Sequence, residues 1–406
     1  IFLTVFIDLL GFGMVLPLLP IYAKQFGADP SGVSLGLLMA SFSIMQFLFA
    51  PLWGRLSDRI GRRPVLMVGL FGSVIFYLMF GIATVYQSLA MLFVARIGAG
   101  VAGATISTAQ AYIADTTPLE KRARGMALIG MAFGMGFTFG PLFGYLAVPG
   151  GEDATPGPWP GYAAAILSTI ALLLAIFILP ESLHERSESA ARKRFNLSAL
   201  SAAVRTPSIA MILLTIFLVV FSFSNLETTL SLILKGQKGV GTPFEFTFGE
   251  VLLTFAFIGV VLAFVQGGLV RPLAGRVPEA ALAGFGAVLE IISFAWIIAI
   301  LGQESPSMAS VFGMLALCTT GFAFVTPSLN SLLSRRSDPA SQGGILGLAQ
   351  SVNSLARILG SGCGIPMLMI DARLPYYVAG GLMLLGLAMT VVVGFTGRDF
   401  QADKSG

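Results

Sequence analysis

The chain has 406 residues, of which 56% are hydrophobic and only 11% are charged, and its mean hydropathy is +0.87. A soluble domain usually carries about 25% charged residues, so this composition excludes a water-soluble fold. The net charge of +4 comes from basic residues divided among short loops, which argues against a nucleic-acid partner. One histidine and two cysteines, Cys318 and Cys363, form neither a metal-ligand cluster nor a disulfide framework, so no metal and no cofactor is expected.

Apolar runs of about 20 residues follow one another along the chain, as membrane-spanning α-helices require. Transmembrane β-strands would instead alternate in segments of roughly ten residues. The first six predicted spans are 1–22, 32–53, 64–83, 88–113, 124–148 and 161–180. The second six are 207–234, 249–271, 278–301, 308–331, 341–369 and 374–397. The sequence therefore predicts an all-α membrane protein with twelve transmembrane helices.

The first apolar run is predicted to be a span and not a cleaved signal peptide. It is long, contains Asp8, Pro17 and Pro20, and has no small-residue cleavage site. Because the chain begins at Ile1 without a methionine, we expect some native N-terminal residues to precede it.

The widest polar interruption is 181–206, which separates the two sets of six spans. It is too short to bury a core of its own, which argues against a small inserted domain. We therefore predict an N-terminal six-helix half at 1–180, a cytoplasmic linker at 181–206, and a C-terminal six-helix half with a short cytoplasmic tail at 207–406.

A weak internal repeat relates the two halves. Gly54, Gly61, Arg62 and Pro64 recur as Gly268, Gly275, Arg276 and Pro278 at one offset of 214 residues. Chance could produce four matches in a glycine-rich protein, but both copies occupy the same place in the topology, which favours duplication. Two parallel halves of six spans are a known plan for secondary transporters, with the substrate site between them near mid-membrane.

Lysines and arginines set the predicted orientation. With the N-terminus inside, 18 of the 24 basic residues fall in inner loops and the tail, 4 fall in outer loops, and Arg96 and Arg357 lie within spans. Positive residues accumulate on the cytoplasmic side of membrane proteins. We expect an inner-membrane protein with both termini in the cytoplasm.

Charged and polar residues inside the first half mark a candidate site. Asp8 lies in the first span, where an ionisable group usually faces a cavity or a partner and is suited to proton coupling; a structural ion pair is the alternative. Arg96 begins a stripe with Gly100, Gly103, Ser107 and Gln110 at helical spacing, suited to a cleft or to a close helix contact. Arg96 would hold a deprotonated acid or an anionic substrate, or form a structural pair.

The stretch 98–103 matches the glycine pattern of dinucleotide-binding folds. That pattern has its meaning only after a β-strand and within a βαβ unit. Neither is predicted here, so we reject nucleotide binding and attribute the glycines to close helix packing.

The second half carries an acid and a longer polar stripe. Glu227 shares one face of the seventh span with Ser224 and Ser231, and we expect it to pair with Arg357. The stripe in the eleventh span is built from residues at helical spacing, with Asn353 adjacent. These residues are Gln350, Ser354, Arg357, Ser361 and Gly364. A substrate pathway and interhelical bonding both explain it. Glu290 in the ninth span fits a structural and a functional role equally.

Several segments resemble the major facilitator superfamily. Residues 54–63 resemble the motif of its loop between spans two and three, and 134–144 resemble a motif of drug/proton antiporters. Residues 6–20 look like the first span of tetracycline-efflux proteins, and 96–100 with Asp115 are similar to the same group. Residues 223–231 resemble tetracycline-transporter-like proteins of eukaryotes, which suggests organic anions as substrates.

The resemblance implies roles for two further groups of residues. A cytoplasmic gate would use Gly54, Asp58, Arg62 and Arg124, with Asp58 latching onto Arg124 or onto the N-terminus of a neighbouring helix. The second copy of the motif has Pro272 in place of the acid, so the gate should be asymmetric. The packing motif comprises small residues and a kink, at Gly134, Gly136, Gly140, Pro141 and Gly144.

These observations favour a proton-coupled secondary transporter that exports amphipathic drug-like or organic-anion compounds by alternating access. A proton symporter that imports a small metabolite is the alternative, because direction is not encoded in these patterns. A membrane enzyme would need a convergent nucleophile, acid pair or metal cluster, and the sequence shows none. A non-transporting receptor or scaffold would be favoured if Asp8→Asn and Arg357→Ala left the phenotype unchanged. We expect a monomer whose partners are a small-molecule substrate, protons and the lipid bilayer.

Overall fold

The computed structural model describes residues 1–27, 29, 31–116, 122–147, 157–182, 207–236, 242–273, 276–336 and 342–396. Over these ranges the chain is helical and contains no β-strand, so the predicted all-α fold is confirmed. An α-helix pairs its backbone N–H and C=O groups within its own segment. Hydrocarbon requires this because it contains no water to bond those groups.

The first half begins with a helix pair and continues with four long helices and one further pair. Its elements are α1 (Phe2–Val15), a 3₁₀ turn (Leu16–Leu18), α2 (Leu19–Gln25), α3 (Val33–Ile60), α4 (Arg62–Val85), α5 (Leu89–Gly103), α6 (Ile106–Thr116), α7 (Arg122–Leu146) and α8 (Trp159–Phe177). The linker prediction falls mostly outside the described residues.

The second half repeats this plan with six long spans. Its elements are α9 (Pro207–Lys235), α10 (Phe248–Phe264), a π-helical segment (Val265–Val270), α11 (Arg271–Leu273), α12 (Glu279–Ile300), α13 (Met308–Arg336), α14 (Gln342–Ile370) and α15 (Leu374–Thr396). Pro64 lies in the first turn of α4 and Pro278 is the residue before α12, so both copies of the repeat start a helix.

Each predicted span coincides with one helix or one interrupted helix. Ten of these are long and apolar enough to cross a membrane. The other two, α7 and α14, have 25 and 29 residues, and at 1.5 Å per residue both are long enough to span hydrocarbon. The multi-span architecture predicted from the sequence is therefore present.

One boundary was predicted wrongly. The sequence places residues 54–63 in a loop, whereas α3 continues through Ile60 and α4 begins at Arg62. Gly61 alone separates the two helices, with φ +109° and ψ 157°. Only glycine adopts such a conformation at little cost. The motif is thus a helix end, one glycine and a helix start.

Prolines and glycines interrupt three spans. Pro17 lies in the 3₁₀ turn between α1 and α2, and Pro20 lies in the first turn of α2. The fourth span breaks after Gly103, where the Thr105 hydroxyl donates to the carbonyl of Ala102 at 3.1 Å. The π-helical segment contains the pair Gly267–Gly268. Single-turn π segments often occur at functional positions in helices.

The described residues form two compact units. The first falls within Ile1–Arg192 and Thr228–Ala263, and the second within Lys193–Glu227 and Phe264–Gly406. In the first unit, side chains from α1, α4, α6 and α8 build an apolar core that includes Val5, Leu70, Tyr112 and Ala171.

In the second unit, α12 and α13 approach closely through Gly286 and Gly321. A Cβ atom at Gly286 would lie 2.5 Å from the carbonyl oxygen of Gly321. Small residues at a helix crossing allow such contact, which replaces the hydrophobic driving force that lipid lacks. The predicted division into halves at 1–180 and 207–406 stays a prediction.

Candidate functional site

Asp8 borders a small cavity of the first unit. The cavity has a volume of about 30 Å³, lies between α1, α4 and the junction of α5 with α6, and is partly open to its surroundings. Thr4 and Thr105 contribute hydroxyl groups to its wall, and Leu66 and Leu70 contribute apolar surface. An acid that meets a void inside the bundle can exchange a proton with water that enters the void.

Hydroxyl groups and one tyrosine surround the Asp8 carboxylate. The Ser168 hydroxyl of α8 donates to Asp8 Oδ1 at 3.2 Å, and the Ser73 hydroxyl of α4 also hydrogen-bonds this carboxyl group. Tyr77 of α4 packs beside Gly11, where an added Cβ would lie 3.2 Å from its ring. Tyr77 interacts electrostatically with both Asp8 and Arg96. Asp8 is thus held by polar neutral groups.

Arg96 of α5 is enclosed by aromatic rings. Its guanidinium carbon lies 4.6 Å from the ring centroid of Phe42 and 5.7 Å from that of Phe12. The side chain is buried, and among the described residues Nε and Nη1 have no hydrogen-bond partner. Cation–π contact stabilises a desolvated guanidinium by about 2 kcal/mol. The expected acid–Arg96 pair is therefore absent from the described contacts, and two aromatic rings take its place.

The small-residue stripe beyond Arg96 packs against α3. A Cβ atom at Gly100 would lie 2.6 Å from the carbonyl oxygen of Phe42. The Ser107 hydroxyl donates to the carbonyl of Ala50 at 3.1 Å. Gln110 continues the stripe and is half-buried. Of the two explanations that the sequence left open, close helix contact applies to Gly100 and Ser107.

The second unit contains the Glu227–Arg357 pair that the sequence predicts. Arg357 Nη1 of α14 lies 3.6 Å from Glu227 Oε2 of α9. Phe223 lies one turn before Glu227 and stacks on Phe322 of α13, with ring centroids 3.9 Å apart. A carboxylate, a guanidinium group and a pair of stacked aromatic rings therefore lie close together on α9, α13 and α14.

The polar stripe of α14 changes character along the helix. Gln350 is exposed, and its carbonyl accepts a hydrogen bond from the Ser354 hydroxyl at 3.1 Å. Ser361 is buried and its hydroxyl lies 3.1 Å from that of Ser224 on α9. Asn353 has a buried Oδ1 atom that lacks a partner among the described residues. At its Ser361 end the stripe therefore forms a hydrogen bond from α14 to α9. At its Gln350 end the hydrogen bond described lies within α14, and Gln350 is exposed.

Glu290 is a buried acid on α12. It is 0% exposed, and neither carboxyl oxygen has a hydrogen-bond partner within the described chain. Its Cγ atom is 2.7 Å from where a Cβ of Gly321 would lie, and the thiol of Cys318 on α13 is a neighbouring ionisable group. Glu290 thus belongs to the α12–α13 contact and not to the Glu227–Arg357 pair.

Charged residues at the adjoining ends of α3, α4 and α6 form one charged cluster. Arg62 forms an ion pair with Asp58, one turn earlier in the motif. Its Nε also donates to Asp115 Oδ2 at 2.9 Å, and its Nη1 donates to the Ser57 hydroxyl at 2.7 Å. The side chain of Arg124, a predicted partner of Asp58, lies outside the described residues. The partner described for Asp58 is Arg62 of its own motif.

Glu181 completes this charged cluster and was missed by the sequence prediction. Its two carboxylate oxygens accept hydrogen bonds from the backbone N–H groups of Arg62 at 2.9 Å and Arg63 at 3.1 Å. An anion at a helix N-terminus satisfies free N–H groups and the helix dipole. The signal available was an acid directly after the sixth span, but nothing in the sequence links it to a helix 119 residues earlier.

The packing motif of α7 lies against α1. A Cβ atom at Gly136 would be 2.8 Å from the Cβ of Leu9, and one at Gly140 would be 2.7 Å from the Cα of Gly13. A Cβ atom at Gly144 would lie 3.4 Å from the carbonyl oxygen of Met14. Pro141 lies inside the helix between these contacts.

Two glycines of the predicted motifs have space around them. At Gly134 and at Gly54 an added Cβ would meet nothing within 4 Å among the atoms described. Neither residue therefore needs to be glycine for the packing seen in this structure.

The sequence was compared with known protein families. The model of the Major Facilitator Superfamily matches residues 1–361. This chain belongs to the major facilitator superfamily. Its relatives in the superfamily include the class C tetracycline resistance protein of Escherichia coli, 31% identical over 88% of this chain and 86% of that protein.

Further superfamily relatives come from animals and from Gram-positive bacteria. Major facilitator superfamily domain-containing protein 10 of Mus musculus is 30% identical, covering 89% of this chain and 84% of that protein. Multidrug resistance protein 2 of Bacillus subtilis is 28% identical, covering 96% and 93% of the two chains.

Solved structures of the superfamily share the fold. The human organic anion transporter MFSD10 superposes with a TM-score of 0.71 and 27% identity, covering 96% of this chain and 97% of the other. A D-xylose–proton symporter superposes with a TM-score of 0.75 at 18% identity, covering 96% and 95%; this likeness concerns the fold alone. The protein is a multi-span membrane transporter of this superfamily.

Proposed function

We propose that this transporter exports amphipathic drug-like or organic-anionic compounds in exchange for protons, by alternating access. The observation that carries the proposal is the position of Asp8 beside a small cavity. A carboxyl group at membrane depth is costly unless it meets water or a partner. The hydroxyl groups around Asp8 bind the ionised and the neutral acid, so both protonation states are accommodated.

The substrate class is supported by the relatives. Those with the names tetracycline resistance protein and multidrug resistance protein match 88% and 96% of this chain. The human organic anion transporter shares 27% identity and the fold. The half-buried aromatic rings Phe223 and Phe322 suit a substrate with apolar, flat surfaces.

Protonation of Asp8 changes the charge at one contact between helices. The ionised carboxylate accepts the hydrogen bond of Ser168, whereas the neutral acid can donate one. A bound proton or substrate shifts a conformational equilibrium only by its difference in affinity between the two states. Asp8 supplies that difference if its cavity opens to opposite sides in turn.

We assign the charged cluster to a gate on the cytoplasmic side. Asp58, Arg62, Asp115 and Glu181 connect α3, α4, α6 and the segment after α8. The hydrogen bonds and ion pairs of this network must break before those helix ends can separate. The Gly136–Gly140 contact with α1 is assigned to packing that stays intact while α1 moves with α7.

Transport in proteoliposomes tests the proposal. Purified protein is reconstituted, and uptake of tetracycline and of fluorescent organic anions is measured under imposed pH gradients. Exchange predicts uptake when the lumen is acidic, because protons then leave as substrate enters. Uptake only with an acidic exterior would indicate symport, the alternative direction. No gradient-driven uptake of any compound in the panel contradicts proton coupling.

Asp8→Asn separates coupling from binding. The amide keeps the hydrogen bonds but cannot release a proton, so gradient-driven uptake should fall to background while substrate exchange at equal pH persists. Glu304→Gln is the matched control, because Glu304 is an exposed acid in the segment between α12 and α13. Equal loss in both variants would remove the special role given to Asp8.

We also propose that the protein is a monomer of the inner membrane with both termini and the linker in the cytoplasm. Single cysteines can be introduced at Ser189 in the linker and at Gln303 between α12 and α13, with Cys318 and Cys363 replaced by serine. An impermeant maleimide added to whole cells should label position 303 and not position 189. The reverse pattern contradicts the orientation.

A further inference from the structure

The Glu227–Arg357 pair is loose and unequally exposed. The 3.6 Å between Arg357 Nη1 and Glu227 Oε2 exceeds the 2.7–3.2 Å of a formed N–H···O hydrogen bond. The Arg357 side chain is 36% exposed, whereas that of Glu227 is 9% exposed. A guanidinium group has five N–H donors in a planar fork. Arg357 can therefore receive a ligand while Glu227 stays behind it.

The surroundings of this pair describe what such a ligand looks like. Phe223 precedes Glu227 by four residues on α9 and so lies on the same face. Its ring is stacked on that of Phe322 with an angle of 16° between the planes, and both rings are half-buried. Asn353 precedes Arg357 by four residues on α14, and its Oδ1 has no partner among the described atoms.

We propose that Arg357 binds the acidic group of an aromatic organic anion, and that this binding requires a proton on Glu227. The inference rests on the proposed transport of organic anions and not on its direction, because a proton and an anion bound together cross the membrane the same way, as in the symport alternative. With Glu227 ionised, the pair is neutral, and a second anion would meet a carboxylate in a poorly hydrated place. With Glu227 protonated, Arg357 carries an uncompensated charge that the anion neutralises. Proton and anion therefore bind to this site together.

Arg357 is the charged side chain that faces Glu227 from the helices described around it. Of the other ionisable groups on these helices, Glu290 and Cys318 are neighbours on α12 and α13, and Cys363 and Tyr377 are exposed. Tyr376 is buried in α15, and the remaining groups lie at helix ends, namely Lys235, Glu279, Arg335 and Arg336. The proton uptake is accordingly assigned to Glu227.

The aromatic rings and Asn353 define the rest of the ligand. A flat ring bound against Phe223 and Phe322 gains stacking in the offset geometry that aromatic pairs prefer. A hydroxyl or N–H group near the acidic group of the ligand would donate to Asn353 Oδ1, which satisfies a buried acceptor. The site fits an aromatic carboxylate or enolate better than an aliphatic one.

Calorimetry on the purified full chain tests this inference directly. Naphthoate is titrated into the protein in buffers of different ionisation enthalpy, which reports the protons taken up per anion bound. We expect about one proton per naphthoate at high pH, and an affinity that falls about tenfold per pH unit there, as linkage requires. Saturable binding without proton uptake, or no saturable binding of naphthoate, overturns the proposal.

Two variants assign the linkage to the pair. Glu227→Gln should bind naphthoate without proton uptake and with an affinity independent of pH. Arg357→Gln should lose naphthoate at least tenfold while it binds the neutral naphthamide like wild type. Glu290→Gln is the matched buried-acid control and should keep the proton uptake. If a variant fails to fold, the proton count of the wild-type protein still decides.

Calorimetry and transport measurements can give opposite results, so the binding site and the proposed function are tested separately. Proton uptake on anion binding, together with an absence of gradient-driven transport, supports the site and contradicts the export proposal. Gradient-driven transport of cationic or neutral drugs without proton-linked naphthoate binding supports export and overturns the assignment of Glu227 and Arg357.

Discussion

Gly140 of α7 lies directly on Gly13 of α1: a Cβ atom at Gly140 would be only 2.7 Å from both the Cα and the carbonyl carbon of Gly13. Backbone atoms cannot move aside as the end of a flexible side chain can. The contact therefore requires glycine in the geometry seen, and it fixes the distance between the helix that carries Asp8 and its neighbour.

We expect Gly140→Ala to destabilise the protein by about 1–3 kcal/mol, the usual cost of forcing extra atoms into a packed contact. Thermal unfolding of the purified protein, monitored by intrinsic fluorescence, measures the change in Tm. Gly134→Ala is the control in the same helix, since no described atom lies within 4 Å of its added Cβ. Alanine there should raise stability by up to about 1 kcal/mol. Equal effects at both positions would contradict the packing role of Gly140.

Glu181 provides a second test, at the charged cluster. Glu181→Ala removes the acceptor for the N–H groups of Arg62 and Arg63, so we expect a loss of about 0.5–2 kcal/mol, as for other helix caps. Transport should also fall, because the start of α4 would no longer be tied to the segment after α8. The exposed acid Glu245 offers Glu245→Ala as the control. A normal Tm and normal transport in Glu181→Ala would exclude its role in the cluster.

The positions of the spans could be predicted because each depends on local composition. Apolar runs of about 20 residues located the long helices of the described residues. The end of α3 was misjudged because polarity, which marks the loop motif, does not stop a helix. Only the conformation of Gly61 stops it, and the place of Gly61 in the repeat did not reveal that conformation.

Contacts between distant parts of the chain could not be predicted in the same way. The pair Glu227–Arg357 was anticipated because few charges lie within spans, so the choice of partners was small. Arg96 was predicted to hold an acid or an anionic substrate, or to form a structural pair, and that role stays a prediction; the contacts described for its guanidinium are the rings of Phe12 and Phe42. Aromatic residues are abundant here, with 33 phenylalanines, so no pattern singles out the two that contact a given arginine.

Asp29 yields a prediction for pH dependence outside the membrane spans. Its carboxylate accepts backbone hydrogen bonds from Ser34 at 2.7 Å and Val33 at 3.2 Å, and so caps the N-terminus of α3. Hydrogen bonds from the Ser31 and Ser34 hydroxyls hold the pKa of Asp29 below its ordinary value. A lowered pKa means that the ionised acid is favoured in the folded state. The stabilisation is therefore present above the ordinary pKa of aspartate and is lost as the pH falls below it.

Unfolding of wild type and Asp29→Ala over a range of pH measures this effect. We expect the alanine variant to be less stable by about 1 kcal/mol near neutral pH. The difference should shrink as the pH falls below about 4. Asp29→Asn is the control, because asparagine caps helices as well as aspartate but does not ionise. A constant difference between wild type and Asp29→Ala across the pH range would contradict the assignment.

Glu290 leads to the last prediction, which concerns stability and function at once. A fully buried carboxyl group with both oxygens unpaired among the described atoms is stable in the neutral form, since an isolated charge in such surroundings is far more costly. An unsatisfied buried polar group costs about 1–3 kcal/mol. Methionine has a similar length and no polar oxygen. We therefore expect Glu290→Met to raise stability by about that amount and to keep gradient-driven transport.

Glu290→Lys and Glu290→Gln complete the series. Lysine would place a positive charge between α12 and α13 with no described partner, and we expect little folded protein. Glutamine keeps a neutral polar group, so its Tm should remain close to that of wild type. Size-exclusion profiles and Tm values rank the variants, and proteoliposome uptake reports transport. If Glu290→Met folds stably but loses proton-driven uptake, then Glu290 carries a transported proton and its structural assignment is wrong.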